Sequence, residues 1–201
     1  MTWQNYQLDS TILKADEDMT LWQTEKGMIK IDKNTLAVPI KLAGRPKGFI
    51  FHGNSKLLLD TIVETQEGAI GKPVEKEMNE PFLMLGETKE IPQHLTPAGK
   101  EDLTNIGYKN EQEFIAKADD LCCKFFREGK THVHQCFDED QSFIFAFPNK
   151  AGKLDILVAK GSKLVYKAMD RVFVSDKNKV VLKTPKEVIL SSNRRSFVIK
   201  K

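Results

Sequence analysis

Asn110-Glu-Gln-Glu-Phe-Ile-Ala-Lys-Ala-Asp-Asp-Leu-Cys-Cys-Lys-Phe-Phe-Arg-Glu-Gly129 is followed almost at once by Thr131-His-Val-His-Gln-Cys136. The first stretch reads as a helix. Asn110 is a capping residue with Glu113 three positions later, close to a capping box. Phe114, Ala118, Leu121, Cys122 and Phe125 recur at helical spacing and form one apolar stripe. Gly129 suits a left-handed cap at the end. Cys122 lies on the stripe, as a small buried hydrophobe, and Cys123 lies on the opposite side, as a solvated thiol. The second stretch has the two-residue alternation of a strand. It holds the one sequence cluster of metal-ligating side chains.

Outward from this pair, the chain reads as β-structure in both directions. Upstream, Thr96-Pro97 is a cap followed by a proline at a first helical position, and Gly107 is a stop, which predicts a shorter helix before the main one. Further back, Gly27–Asp32 and Thr35–Lys41 flank Lys33-Asn34 and predict a hairpin. Leu36, Val38, Ile40 and Leu42 would share one face, and Pro39, lacking an amide hydrogen, predicts an edge strand. Pro81-Phe-Leu-Met-Leu-Gly86 reads as a short buried strand, and the polar residues 1–19 as a loosely attached arm or a short leading element.

Downstream, short alternating segments are spaced by breaks. Ser142–Phe147, Leu154–Ala159, Lys163–Ala168, Arg171–Ser175, Lys179–Lys183, Glu187–Ser191 and Ser196–Lys200 read as successive strands of a meander. The fold class expected is therefore α+β, predominantly antiparallel β (a meander, small barrel or sandwich), with a central helical segment around 97–128. The expected organisation is a leading arm (1–19), a β-rich N-terminal half (20–90), a helical connector (91–129) and a basic β-rich C-terminal half (130–201). The parts could form one composite domain.

Composition narrows the class. Hydrophobic residues are 40% of the chain and charged residues 29%, ordinary values for a globular protein. No apolar run approaches the ~20 residues of a membrane-spanning helix. The start of the chain has no secretory pattern, and three cysteines make no disulfide framework. A reducing, cytoplasmic setting is the expectation. The net charge of +3 hides a split: residues 150–201 hold 14 Lys and Arg against 4 Asp and Glu, or +10, leaving −7 for residues 1–149.

Two chemistries follow. On a strand, His132, His134 and Cys136 would point to one face at roughly 6.5–7 Å intervals. They could converge on one transition-metal ion, with Glu139 from the next turn as a further ligand. If the following hairpin turns about Asp140, Cys136 falls opposite Ile144 and His134 opposite Ala146. The spacing His132-x-His134, then four residues, then Glu139 resembles the first metal motif of cupins. The motif's glycine is displaced and no later histidine exists, since His134 is the last in the chain.

The second chemistry is anion binding. Lys160, Lys163, Lys167, Arg171, Arg194 and Arg195 stand among alternating apolar residues or in breaks between them, and would share a solvent face that attracts phosphates. Tyr166, Phe173 and Phe197 are the aromatic residues near enough in sequence to stack on bases, although the last two sit among β-branched residues like core positions. His52 reads as an exposed turn residue and His94 as part of a proline-flanked linker. Nucleotide-binding, zinc-protease and serine-hydrolase motifs are absent. The preferred expectation is a non-enzymatic binding or accessory protein whose basic half meets nucleic acid, a ribonucleoprotein or an acidic protein, without a membrane. The alternative is a small metal-dependent enzyme or metal sensor at His132, His134 and Cys136. Self-association through edge strands into a homo-oligomer is the third.

Overall fold

The computed structural model describes residues 6–60, 64–65, 68–69, 74–86, 91–129, 143–161, 163–168, 171–176, 179–183, 187–192 and 195–200. Along the chain the strands are β1 (Tyr6–Leu8), β2 (Leu13–Ala15), β3 (Met19–Thr24), β4 (Gly27–Ile31), β5 (Leu36–Leu42), β6 (Arg45–His52), β7 (Ser55–Leu59), β8 (Glu64–Thr65), β9 (Gly68–Ala69), β10 (Val74–Met78) and β11 (Phe82–Leu85). A 3-10 turn (Ile91–His94) leads to β12 (Leu95–Pro97), α1 (Lys100–Ile106) and α2 (Glu111–Lys124), which continues as a π turn (Phe125–Gly129). The chain closes with β13 (Phe143–Pro148), β14 (Leu154–Lys160), β15 (Lys163–Ala168), β16 (Arg171–Asp176), β17 (Lys179–Lys183), β18 (Glu187–Ser192) and β19 (Arg195–Lys200).

The main sheet runs in the order β12-β2-β5-β6-β11-β13-β14-β15-β16-β17-β18-β19, with β1 also on β5. All its pairs are antiparallel, and β13 to β19 is an unbroken meander. A second sheet, β10-β7-β4-β3, packs on one face of the first. The β8–β9 pair forms a small sheet of its own, between β7 and β10 in sequence, and β8 lies near β19. The α+β, antiparallel-β reading holds.

Alternation along the central strands explains the layers. Leu36, Val38, Ile40, Ile50, Leu83, Ile144, Ile156 and Val158 meet the helices, where Phe114, Ala118, Leu121, Cys122 and Phe125 are buried. The intervening Ala37, Phe49, Phe51, Phe82, Met84, Phe145 and Leu157 meet Leu21, Trp22, Ile29 and Leu57 of the second sheet. Both faces of β11 are thus covered and all four of its residues are buried. Strands buried on both sides carry near-continuous apolar runs, which is what Phe82-Leu-Met-Leu85 shows.

Several sequence expectations are corrected. Gly27–Asp32 and Thr35–Lys41 do not pair: β4 pairs with β3 and β7, and β5 with β2, β1 and β6. Asn34, with φ 71°, carries the chain from one sheet to the other. Residues 6–15 are not a loose arm, because β1 and β2 pair with β5 and Ala15 is fully buried. Pro39 is not on a free edge. In a strand one residue's nitrogen and carbonyl point the same way, and the Pro39 carbonyl accepts from the Asp9 amide at 3.0 Å, in the gap between β1 and β2. Its missing N–H therefore costs the β5–β6 ladder nothing.

Thr96-Pro97 belongs to β12, and α1 begins after Gly99, whose amide donates to the Asp102 carboxylate at 2.7 Å. Gly107 ends α1 in the left-handed region (φ 117°), as its position suggests. Asn110 caps α2 by accepting from the Glu113 amide at 3.0 Å. The α ladder then passes into the π turn at Phe125, before Gly129 is reached.

Candidate functional site

The meander's register sorts the basic residues. Lys160 is opposite Lys163, Lys163 opposite Asp176, Asp176 opposite Lys179, Lys179 opposite Ser192 and Ser192 opposite Arg195. Directly opposed residues of an antiparallel sheet share a face. Lys160, Lys163, Lys179 and Arg195 therefore form one cross-strand row over β14–β19, interrupted by one acid and one serine. With strands ~4.8 Å apart, the five steps span roughly 24 Å. The next row inward on that face is Val158, Val165, Val174, Val181, Leu190 and Phe197.

The other expected anion-binding residues fall elsewhere. Lys167 is opposite Ile156 and Val172, at the far end of the same strands. Arg171 is opposite Ala168, in a row of the opposite parity. Arg194 lies outside the described residues. Tyr166 is 2% exposed and its hydroxyl bonds to Asp155, so no base can stack on it. Phe173 opposes Tyr166 and Leu182 in the register, in a row of the opposite parity to the cations. Lys179 was not separable from the other lysines in sequence; only the pairing places it in the row.

His132, His134, Cys136 and Glu139 lie outside the described residues. The pairing expected for them meets an obstacle on β13: Ile144 is already opposite Leu85 and Val158, and Ala146 opposite Leu83 and Ile156. Both edges of β13 are taken there, so neither Ile144 nor Ala146 offers an open pairing position.

Elsewhere, His94 Nδ1 lies 2.8 Å from Glu17 Oε1 and 3.8 Å from Asp16 Oδ1. These three side chains are the metal-ligand cluster among the described residues, on a surface where an ion pair suffices to explain them.

His52 is not an exposed turn residue. Its Nε2–H donates to the Asn79 carbonyl at 2.8 Å and its Nδ1 accepts from the Tyr108 hydroxyl at 2.6 Å. Burial pushes its pKa below the usual histidine value, partly opposed by the Asn79 bond. Cys123 is half-buried rather than solvated, with its sulfur 2.8 Å from the Tyr6 hydroxyl, which in turn donates to Asp119 at 2.9 Å. Cys122 is fully buried, and desolvation raises its thiol pKa, so it serves as a hydrophobe.

A cavity of about 440 Å³ opens where β10 meets the ends of β13 and β14. Its walls include Met78, Phe82 and Phe147, with Lys76, Asn149 and Asp155 as the inward polar groups. Nothing in the sequence pattern marked it, because Lys76 and Asp155 are 79 positions apart. No described helix is long and apolar enough to cross a membrane. No family model, curated protein or solved structure matches the chain.

Proposed function

We propose that this chain is a non-enzymatic binding protein whose basic C-terminal meander contacts nucleic acid, alone or within a ribonucleoprotein. The observation that supports it is the row Lys160, Lys163, Lys179 and Arg195 along one face of six successive strands. A row of cations at strand spacing can neutralise several phosphates of one polyanion and release their counterions. With Tyr166 buried, the reading rests on the row of charge, which attracts phosphates largely independently of sequence. The register of the six strands sets the cations in line.

The test is a titration of a single-stranded oligonucleotide at several salt concentrations. If all four cations meet phosphates, the log–log salt slope contains about −3 from them. Replacing all four with Gln should remove most of that slope and weaken binding uniformly across sequences. Absence of binding at low salt, or an unchanged slope in the variant, would rule the reading out. Preference for an acidic peptide over the oligonucleotide would transfer the row to a protein partner.

A further inference from the structure

We infer that the cavity between the two sheets is a binding site for a small carboxylate with an apolar body, whose head group is held by Lys76. This goes beyond the polyanion reading and rests on different residues.

The floor is apolar. Met78, Phe82 and Phe147 are each at most 4% exposed by residue, although they border the cavity. The volume of about 440 Å³ falls in the range of pockets that enclose small ligands. Against this floor stands one ion pair. Lys76 reaches from β10 of the second sheet to β14 of the main sheet, its Nζ 3.3 Å from Asp155 Oδ2. Asp155 has a side chain 7% exposed and is held from other directions as well. Asn149 Nδ2 donates to its Oδ1 at 3.0 Å, and the Tyr166 side chain bonds to it. A buried carboxylate is costly unless so surrounded, and an apolar residue there would be the simpler way to fill space. The arrangement fixes the Lys76 ammonium at the cavity wall, over the Phe147 ring at 5.7 Å.

The unused hydrogen-bonding capacity decides the ligand's chemistry. Among the inward groups, the acceptors are already engaged, and the exposed Asn79 side chain stands with Glu77 and Glu80 away from them. Asp155 takes three donors, the Pro148 carbonyl lies 3.5 Å from Lys76 Nζ, and Asn149 Oδ1 accepts from the amides of Ala151 and Lys153 at 3.0 and 3.1 Å. The donors are not used up. An ammonium has three N–H groups and an amide nitrogen two; Lys76 directs two, to Asp155 at 3.3 Å and to the Pro148 carbonyl at 3.5 Å, and Asn149 Nδ2 one, so each keeps one donor to offer. A ligand head that meets these walls must therefore accept hydrogen bonds. A carboxylate does so with charge assistance. Glu77 and Glu80 stand in outward or rim positions, exposed to water, as does Lys150, and do not reverse the interior preference.

The experiment uses the full chain with ¹³C-methyl methionine and three matched probes: 4-phenylbutyrate, 4-phenylbutanol and 4-phenylbutylamine. The acid is expected to move the Met78 methyl resonance with a Kd on the order of 1 mM, a typical affinity for so small a ligand. The alcohol should bind about tenfold more weakly, and the amine more weakly still. Lys76→Gln should remove the acid's advantage over the alcohol while the alcohol's affinity is kept. If that variant does not fold, the order of the three probes on the unaltered chain decides alone. Amine binding as tight as the acid, a shift at another methionine in place of Met78, or no shift at millimolar acid would each overturn the inference. Failure here leaves the oligonucleotide titration untouched, because the row at Lys160 is not involved.

Discussion

His52 has both ring nitrogens committed, to the Asn79 carbonyl and the Tyr108 hydroxyl, and its ring lies edge-on to Tyr108 at 5.2 Å. A carbonyl only accepts, so Nε2 carries the proton, and burial favours the neutral ring. The unfolded chain takes up a proton near pH ~6.5, and the folded chain only at lower pH. Between those values the unfolded state binds more protons, so the stability contribution is complete above ~6.5 and is lost as pH falls through the folded pKa. A His52→Gln variant should lose about 1–3 kcal/mol at neutral pH, from disturbed bonds to Asn79 and Tyr108. It should also show a flatter fall in stability between about pH 6.5 and 5, a window set by the unperturbed histidine value. Urea titrations at both pH values check this, and an unchanged pH slope would contradict the assignment. The sequence placed His52 in a turn because Gly53-Asn-Ser55 follows it. The two partners that bury it come from residues 27 and 56 positions away, and no local pattern carries that.

At the scale of elements, what was legible depended on whether neighbours in sequence were neighbours in the sheet. The meander was read strand by strand because each turn joins two strands that do pair, so breaks such as Gly161-Ser162 mark real hairpins. The stripe on α2 was equally plain, since a helix carries its own period. Lys33-Asn34 looked like the same kind of break. There, however, Ile31 belongs to the second sheet's core and Leu36 to the helix-side core, and alternation alone does not distinguish a hairpin from a crossing between layers. The cation row was invisible for the related reason that a row is a property of register. Gly48 shows how tightly the central pairs are set. A Cβ there would collide with the Met84 carbonyl oxygen across the β6–β11 ladder and lie 3.0 Å from Leu85 Cα. Because the obstacle is backbone, Gly48→Ala must separate the strands locally. An expected cost of about 1–3 kcal/mol, the range for overpacked sites, should appear as a lowered thermal midpoint. A wild-type midpoint would show that β6 and β11 are not so closely paired.

For the whole molecule, the decisive fact is that two cores share one sheet. β5, β6, β11, β13 and β14 give alternate residues to the helix side and to the second sheet, so neither layer can separate without exposing the other's partners. β11, between β6 and β13, joins what the sequence presented as an acidic N-terminal half and a basic C-terminal half. Damage to either core should therefore lower the stability of both. Phe114→Ala on the helix side should cost about 3–5 kcal/mol, and Leu57→Ala in the second sheet about 2–5 kcal/mol. In a Trp3→Phe background, Trp22 fluorescence reports the second-sheet side, where Trp22 is 6% exposed, while far-ultraviolet circular dichroism reports α2 and the strands together. If the shared sheet couples the layers, both probes shift to the same lower midpoint in each variant, as a single cooperative unit requires. If Phe114→Ala lowers the dichroism midpoint and leaves Trp22 fluorescence where it was, the helix layer unfolds alone and the coupling through β11 is refuted.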